Sequence, residues 1–271
     1  MEYKYKVSVI MGVYNEADKV INALESIMNQ SQKHLQIIIC DDASTDGTYE
    51  TIKSFVKADA NTILLHNEKN CGLAYSLNRC IDLSQGEYLA RMDADDTCHI
   101  DRIKKQVDFL DKHSEYDLAG SQYIMTDEDG KEFYSHKKIV PNDSILPFDV
   151  PFAHPTVVIR KNSMNKLGKY NESTRTKYCE DLELWYRFFA LGMKGYNLPE
   201  YLYYKNQRAY HYSKGKLRNS FDLFFVHVSG LKLLKAKWYR YLLAFKPIIS
   251  AIIPNKIKYI FYVLTDSWYN L

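Results

Sequence analysis

Asp93, Asp95 and Asp96 place three carboxylates within four positions of the sequence. At neutral pH such carboxylates repel one another, and a divalent cation among them would remove much of that cost. Mg²⁺ and Mn²⁺ are commonly held by one or two carboxylates together with water and the phosphates of a nucleotide. A solvated acidic turn that caps the following helix would have the same sequence, so the cluster alone leaves both interpretations open.

Two further acidic pairs could take part in the same chemistry. Asp41 and Asp42 follow an apolar run, where one carboxylate could accept from a nucleobase N–H while the other orients a ribose or caps a helix. Asp46 precedes a glycine, which is typical of a turn. Glu180 and Asp181 begin a predicted helix, either as favourable charges at its N-terminus or as a general base for an acceptor hydroxyl.

The segment at residues 12–16 offers parts of a nucleotide site. Gly12 would allow close approach of a ligand, and the ring of Tyr14 could stack on a base. The chain contains neither a GxGxxG fingerprint nor a GxxxxGK[ST] loop. The sequence therefore argues against a dinucleotide site and against nucleotide hydrolysis by the P-loop route.

Alternating strand and helix patterns position these polar groups. Apolar and β-branched runs predict strands at residues 7–11, 35–40, 62–65, 87–92 and 117–125. Helical periodicity predicts helices at residues 17–30, from 48 onward, at 72–83 and at 100–113. This repetition predicts an α/β fold with a Rossmann-like, mostly parallel sheet and helices on both faces. Ligands of such sheets bind beyond the carboxyl ends of the strands, so the segments at Gly12, Asp41 and Asp93 should converge on one crevice.

Composition bounds the remaining possibilities. The 271 residues carry a formal net charge of +3, and we expect no nucleic-acid partner. Five cysteines form no CxxC pair, which favours reduced thiols over disulfides or a zinc site. The N-terminus lacks a signal-peptide pattern, and no uncharged apolar stretch of about 18 residues occurs, so we expect a cytoplasmic chain without a membrane-spanning helix.

The C-terminal segment has its own composition. From Lys214 onward the chain contains ten Lys or Arg residues and only two Asp residues, interleaved with aromatic residues and isoleucines. Pro247 and Pro254 divide it into short predicted helices. Such helices could lie in a membrane interface, with the cations on lipid headgroups, or they could pack on the catalytic domain or on another subunit.

Together these motifs resemble glycosyltransferase family 2. The resemblance covers roughly residues 5–212 and rests on the order and spacing of the segments at 7–16, 41–48, 92–96 and 180–181. The segment at 70–73, Asn78 and the Asp101-Arg102 pair also fit. Within the family the chain is most similar to bacterial transferases of capsule, exopolysaccharide and O-antigen assembly, including amylovoran-type enzymes.

The resemblance implies a GT-A nucleotide-diphospho-sugar transferase fold, a UDP-sugar donor, Mn²⁺ or Mg²⁺, and inversion at the anomeric carbon. Carried over by position, Tyr14 and Asp42 fall on the uracil contacts, and Asp93 falls near the ribose and the donor sugar. The residues implied to bind the nucleotide sugar are Val13, Tyr14, Glu16, Asp42, Gly72, Asp93 and Ala94.

The catalytic roles implied by the resemblance fall on the remaining acidic residues. Asp95 matches the metal ligand, and His211 is a further candidate for the metal. Asp181 matches the catalytic base, with Glu180 beside it. His154 could line the acceptor pocket.

The resemblance also implies a layout and a setting. We expect a catalytic domain at residues 1–213, with a nucleotide-sugar half at 1–98 and an acceptor half at 99–213, followed by a basic helical tail at 214–271. The QxxRW motif of processive relatives is missing, so a single sugar transfer is expected. A lipid-linked saccharide acceptor would place the protein on the inner face of the cell membrane, and the oligomeric state is left open.

Two other functions remain as alternatives. A sugar nucleotidyltransferase would need a glycine-rich loop with Arg and Lys after the first strand, which residues 12–16 do not provide. A catalytically inactive nucleotide-binding module that recruits partners to the membrane would not need Asp93, Asp95 and Asp181.

Overall fold

The computed structural model describes residues 3–206 and 216–252 of the chain. The strands are β1 (Tyr5–Val13), β2 (Leu35–Asp41), β3 (Thr62–His66), β4 (Gly86–Arg91), β5 (Thr97–Cys98), β6 (Leu118–Thr126), β7 (Glu132–Tyr134), β8 (Val158–Arg160) and β9 (Gly195–Asn206). The α-helices are α1 (Val20–Met28), α2 (Thr48–Phe55), α3 (Leu73–Leu83), α4 (Arg102–Lys112), α5 (Lys161–Leu167), α6 (Glu180–Ala190), α7 (Lys216–Leu233) and α8 (Lys246–Ile252). Three short 3₁₀ helices lie at Asp143–Ile145, His154–Thr156 and Trp238–Phe245.

The nine strands of the described residues join one sheet in the order β3-β2-β1-β4-β8-β6-β9-β5, with β7 paired to β6. The first four strands run parallel, as predicted. Beyond β4 the sheet is mixed, because β8 runs antiparallel to both β4 and β6 while β6 and β9 are parallel. The α/β fold with helices on both faces is confirmed, and the sheet combines a parallel half with a mixed half.

Two hydrophobic cores hold the helices against the sheet. Helices α1, α2 and α4 pack on the face that carries Val7, Val9 and Met11 of β1. Helices α3, α5 and α6 cover the opposite face, where Ile10 of β1 points. This alternation along β1 follows from the two-residue period of a strand, and burial of both faces explains why the predicted strands read as continuous apolar runs.

The register of the parallel strands brings the polar segments to one edge. Val13 at the end of β1 pairs with Asp41 at the end of β2, and Ile10 pairs with Arg91 at the end of β4. The turns that follow β1, β2 and β4 therefore leave the sheet on the same side, as predicted.

Part of the C-terminal segment packs on the catalytic body. Leu182 and Tyr186 of α6 form a third core with Val226 and Leu231 of α7 and with Ala244. Pro247 is the second residue of α8, a position that proline tolerates well. Of the helices in the described ranges, none combines the length and hydropathy that a bilayer crossing requires. Pro254 and the predicted boundary at residue 213 lie outside the described residues.

Candidate active site

The turns after β1 and β2 are hydrogen-bonded to each other. The side chain of Asn15 accepts from the backbone N–H of Thr45 at 2.8 Å, and the backbone N–H of Asn15 donates to Ser44 Oγ at 2.9 Å. Asp46 accepts from the backbone N–H groups of Ala17 and Thr48. Asp46 therefore closes the turn at the start of α2, as its position before Gly47 predicts.

The Asp42 carboxylate is hydrogen-bonded to groups of the protein itself. Its buried carboxylate accepts from Asn67 Nδ2 at 2.6 Å and from the backbone N–H groups of Cys71 and Gly72, both at 2.8 Å. Gly72 adopts a φ of +93°, which glycine reaches without strain. Asp42 thus fixes the loop that begins α3, and its assignment to the uracil stays a prediction.

Asp41, its neighbour, is buried and has one carboxylate oxygen that the described protein leaves without a hydrogen bond. Asp41 Oδ2 lies 2.8 Å from His66 Nδ1 and accepts from the backbone N–H of Ser44 at 3.1 Å. Asp41 Oδ1 is buried and has no hydrogen-bond partner within the described chain. A buried oxygen without a partner is costly, so a donor such as a nucleobase N–H would stabilise it. The residue types alone leave open which aspartate does this and the resemblance implies Asp42, whereas the hydrogen bonds favour Asp41.

The residues around the end of β1 divide between ligand-facing and structural positions. Tyr14 is 46% exposed, which leaves its ring available for stacking. Val13 is buried and its carbonyl accepts from the backbone N–H of Asp42, while the backbone N–H of Glu16 donates to Thr48 Oγ1. A Cβ on Gly12 would lie 2.9 Å from a methyl group of Leu73, so this glycine makes room for α3, and close approach of a ligand there stays a prediction.

The acidic turn after β4 is held by β9. Asn206 donates from its backbone N–H to Asp96 Oδ1 at 3.0 Å and from Nδ2 to the carbonyl of Asp95 at 2.6 Å. The backbone N–H of Asp93 donates to the buried hydroxyl oxygen of Tyr203 at 3.2 Å. Ala94 is buried within the turn. The acidic turn is therefore held in place by hydrogen bonds to β9, and it is not simply a solvated turn that caps the following helix.

The electrostatics of this turn suit a cation. Burial raises the pKa of Asp96 to about 7, and the charges of Asp93 and Asp95 contribute to the rise. Burial and the charge of Asp93 also raise the pKa of Asp95. Within the described ranges, no group of three or more His, Cys, Asp or Glu side chains is arranged to hold a metal by itself. The donor set fits Mg²⁺ or Mn²⁺ bound through one or two carboxylates and completed by phosphate oxygens and water.

Two buried arginines support the end of β4. Arg91 Nη2 donates to Asp93 Oδ1 at 2.5 Å. Arg102 Nη2 donates to the carbonyl of Arg91 at 2.6 Å and to that of Pro155 at 3.0 Å. The Asp101-Arg102 pair of the resemblance thus contains a structural arginine, whose guanidinium also lies over the Tyr203 ring.

Glu180 and Asp181 occupy the first turn of α6. Burial raises the pKa of Asp181, and the negative charge of Asp93 adds to the rise, which indicates that the two carboxylates lie close enough to interact. Burial and Asp181 likewise raise the pKa of Glu180. Asp181 Oδ1 accepts from the backbone N–H of Leu182 at 2.7 Å. A half-buried carboxylate with a raised pKa is suited to general-base chemistry.

His154 and Lys205 border the same region. His154 Nε2 lies 2.7 Å from Tyr170 Oη, and burial lowers the pKa of this imidazole to about 3, with the charge of Arg91 contributing. His154 is therefore a neutral, buried residue beneath the crevice. Lys205 lies close enough for its charge to oppose the rise that burial causes in the pKa of Asp95 and Asp181. His211 lies outside the described residues.

The structure brings most of the sequence-predicted residues to one side of the sheet, and it adds others. The negative charge of Asp93 contributes to the raised pKa of both Asp95 and Asp181, and the charge of Asp181 contributes to the raised pKa of Glu180. The residues that sequence reasoning missed are Asp41 as the orphan carboxylate, Arg91 and Lys205. Arg91, directly before the acidic motif, was the available sequence signal, since a cation at the end of a buried strand requires an anion nearby.

Comparison with known proteins gives a consistent family. The protein-family model described as glycosyl transferase family 2 matches residues 8–191 of this chain. Putative glycosyltransferase EpsE of Bacillus subtilis is 37% identical over 250 residues, which cover 92% of this chain and 90% of EpsE. Amylovoran biosynthesis glycosyltransferase AmsE of Erwinia amylovora is 32% identical over 202 residues, or 72% of this chain and 74% of AmsE. WfaP of Escherichia coli, a UDP-Glc:alpha-D-GlcNAc-diphosphoundecaprenol beta-1,3-glucosyltransferase, is 28% identical over 191 residues, or 70% and 73% of the two chains.

Solved structures share the fold. S. aureus TarS in complex with UDP-GlcNAc superposes with a TM-score of 0.67 at 18% identity, covering 92% of this chain and 82% of TarS. The mannosyltransferase PcManGT from Pyrobaculum calidifontis, in complex with GDP-Man and Mn²⁺, gives a TM-score of 0.66 at 20% identity, covering 92% and 69%. At these identities the likeness concerns the fold alone, and it confirms the GT-A prediction.

Proposed function

The chain belongs to glycosyltransferase family 2, and from this premise we propose that it transfers a sugar from a UDP-sugar to a hydroxyl of a lipid-linked saccharide, with inversion and with a divalent cation. The setting would be the synthesis of a bacterial surface polysaccharide. The names of AmsE, an amylovoran biosynthesis enzyme, and of WfaP, which uses a UDP-sugar and a diphosphoundecaprenol-linked acceptor, support this proposal.

The observation that carries the proposal is the electrostatic coupling between the acidic turn and α6. The charge of Asp93 contributes to the raised pKa of Asp181, after burial, which supports a shared site for the candidate base and the candidate donor-binding turn. A nucleotidyltransferase or an inactive binding module would not require a base opposite the acidic turn.

The residues of the crevice suggest a single displacement. Asp181 would accept the proton of the acceptor hydroxyl, whose oxygen then bonds to the anomeric carbon as the bond from that carbon to the UDP oxygen breaks. One base suffices for this reaction, in contrast to the carboxylate pair of glycoside hydrolases. Asp41 and Tyr14 would bind the base of the nucleotide, and Asp93 would bind hydroxyls of the ribose or the donor sugar.

The cation has a defined place in this scheme. Asp95 would hold Mn²⁺ or Mg²⁺, which supplies charge neutralisation for the departing diphosphate. His211, outside the described residues, is kept as a second candidate ligand. The absence of a QxxRW motif supports the transfer of one sugar per encounter over polymerisation.

We also propose that the protein is peripheral on the cytoplasmic side of the membrane. Large apolar side chains near the end of the described chain are exposed, among them Trp238, Leu242, Ile249 and Ile252. Lysines at 235, 237 and 246 lie among them. Apolar anchors flanked by cations suit a surface of anionic lipid, which is where a lipid-linked acceptor would be found.

A transfer assay on the purified full-length protein tests the proposal. UDP-Glc, UDP-GlcNAc and GDP-Man are each supplied with Mn²⁺ and a polyprenyl-diphosphate-linked saccharide, and NMR reports the anomeric configuration of the product. We expect transfer from a UDP-sugar with inversion, abolished by EDTA and restored by Mn²⁺. Release of pyrophosphate from a sugar phosphate and UTP, or UDP release that survives both Asp95→Ala and Asp181→Ala, would contradict the proposed roles.

A further inference from the structure

Arg91 is a buried cation at the base of the proposed donor site. It is the last residue of β4 and is only 2% exposed. Its Nη2 donates to Asp93 Oδ1 at 2.5 Å, and its Nη1 donates to the carbonyl of Met92. Its backbone is fixed as well, since the N–H donates to the carbonyl of Val157 and the carbonyl accepts from Arg102. The guanidinium therefore has a single well-defined location under the acidic turn.

A guanidinium in this location needs an anion at all times. Arginine does not lose its proton in proteins, and a buried charge without a partner is strongly destabilising. Asp93 supplies the contacting carboxylate before any ligand is present. Burial raises the pKa of Asp93, but the charge and the hydrogen bond of Arg91, together with the charge of Lys205, oppose this rise, and the pKa is lowered overall. One carboxylate of the acidic turn is thus already compensated from inside the protein.

We propose that Arg91 is a positioning residue that reserves Asp93 for the donor, holding it by Oδ1 and keeping it from joining Asp95 as a ligand of the divalent cation. This inference rests on the proposed metal-dependent transfer. Its consequence is an order of binding: the acidic turn takes up the cation together with the nucleotide diphosphate, because the phosphates must supply ligands that Asp93 does not.

The chemistry of hard cations explains why the order follows. Mg²⁺ and Mn²⁺ dehydrate reluctantly and bind weakly to a single carboxylate, so phosphate oxygens contribute much of the affinity. If the Arg91 charge were removed, Asp93 would gain an uncompensated charge and freedom to turn. It would then be able to chelate the cation jointly with Asp95, before the nucleotide arrives.

Three variants separate charge compensation from a merely structural role. Arg91→Met removes the charge and keeps an unbranched stem, whereas Arg91→Lys retains the charge. Arg160→Met is the matched control, because Arg160 also has a guanidinium bonded to backbone carbonyls, those of Tyr116 and Leu110. In the sheet, Arg160 pairs with Tyr88, which lies nearer the start of β4, whereas the acidic turn follows the end of β4.

The measurement is a titration of each full-length protein with Mn²⁺, followed by the EPR signal of the free ion, with and without UDP. We expect the wild type, Arg91→Lys and Arg160→Met to bind Mn²⁺ tightly only with UDP. Arg91→Met should bind Mn²⁺ without UDP about tenfold more tightly than the wild type. Its kcat for transfer should fall much more than its KM for the donor changes. An affinity of Arg91→Met for Mn²⁺ alone that is unchanged or weaker would overturn the inference, as would equal behaviour of the Met and Lys variants.

A double-mutant cycle covers the case in which Arg91→Met folds poorly. Asp93→Asn alone leaves the Arg91 charge unpaired, and Arg91→Met alone leaves the Asp93 charge unpaired, so each should lower Tm. The double variant should have a higher Tm than either single variant, and additive changes in Tm would overturn the pairing. If the wild type binds no Mn²⁺ even with UDP, the proposed metal-dependent function is contradicted instead. The titration of the wild type alone tests that function.

Discussion

Asp181 combines two features that favour proton transfer from an acceptor hydroxyl. It lies in the first turn of α6, and both burial and the charge of Asp93 raise its pKa. A raised pKa makes the ionised carboxylate a stronger base. The same shift makes the enzyme sensitive to acid, because the protonated form cannot accept the hydroxyl proton.

The first prediction concerns this group. Asp181→Asn should lower kcat by about 10³-fold, within the usual range for loss of a general base, with little change in UDP affinity. In the wild type, kcat/KM should be full above the raised pKa of Asp181 and should decline as the pH falls through it. That decline should begin at a higher pH than an exposed aspartate would give. Transfer rates from pH 4 to 8 and calorimetric titration with UDP measure the two effects.

Glu183 provides the control for Asp181. It lies in the same turn of α6 but forms an ion pair with Arg187. Glu183→Gln should leave kcat and the pH profile unchanged. If Asp181→Asn retains wild-type kcat, or if Glu183→Gln loses as much, Asp181 is not the base.

A second prediction distinguishes Asp41 from Asp42. Asp42→Asn removes the carboxylate that accepts from Cys71 and Gly72, so it should lower the free energy of unfolding by about 1–3 kcal/mol. Asp41→Asn should instead weaken UDP binding strongly with a smaller loss of stability, because Asp41 Oδ1 has no protein donor to lose in the described chain. Thermal melts and UDP titrations of both variants give the comparison. Weaker UDP binding by Asp42→Asn with an unchanged Tm would favour the assignment implied by the resemblance.

At the level of elements, the repeating first half of the chain was predictable from the sequence. Strands β1 to β4 and helices α1 to α4 lie where the spacing of apolar residues and the turn residues predict them. Each of these elements buries apolar side chains at the regular spacing of a strand or a helix. The convergence of polar segments followed from parallel strand geometry. Strands β5 and β7, with two and three residues, were not predictable, since such short strands form only because β9 and β6 offer them a partner.

Details of the site depended on packing that no local pattern contains. Gly12 and Gly72 look equivalent in sequence, yet Gly12 makes room for α3 and Gly72 adopts a positive φ. The difference between Asp41 and Asp42 likewise rests on which backbone N–H groups a distant loop presents. The antiparallel insertion of β8 beside β4, which sets Arg91 against Val157, joins segments far apart in the chain.

Helix α7 is part of the support for the catalytic helix. Tyr186 of α6 hydrogen-bonds to His227 Nδ1 at 2.8 Å, and burial lowers the pKa of His227 to about 4, which keeps this imidazole neutral at pH 7. The Tyr186 ring also lies against Gly230, where a Cβ would come within 2.1 Å of it. The face of α6 opposite the sheet is therefore packed by the C-terminal segment.

The third prediction follows from this contact. Gly230→Ala would force the Tyr186 ring to move, and overpacking of this kind costs about 1–3 kcal/mol. Because α6 also carries Asp181, we expect both a lower Tm and a lower kcat, with the KM for the donor less affected. Ser229→Ala, at the exposed neighbouring position, is the control and should change neither. A Gly230→Ala protein with wild-type kcat would show that α7 does not influence the position of α6.

For the whole molecule, the C-terminal segment presents two different surfaces. One surface belongs to the core shared with α6, and Arg240 anchors it further by an ion pair with Asp143. The other surface carries Trp238 and Leu242, which are 77% and 63% exposed, together with Ile249 and Ile252. Deleting the segment would expose the shared core as well, so a truncated chain would not report on membrane contact alone.

The last prediction therefore uses substitutions on the exposed surface only. Trp238→Ser combined with Leu242→Ser should reduce cosedimentation with vesicles that contain anionic lipid by about tenfold or more, because two large apolar side chains no longer enter the interface. Binding of the wild type should also weaken at high salt, since lysines contribute through charge.

Ile100→Ser is the control, because Ile100 is an exposed apolar residue of the catalytic body and should not affect vesicle binding. Transfer to a short, water-soluble acceptor should be unchanged in the double variant, while transfer to an acceptor embedded in the vesicles should fall with binding. Equal sedimentation of the wild type and the double variant would assign this apolar surface to a protein partner and remove the membrane from the proposal.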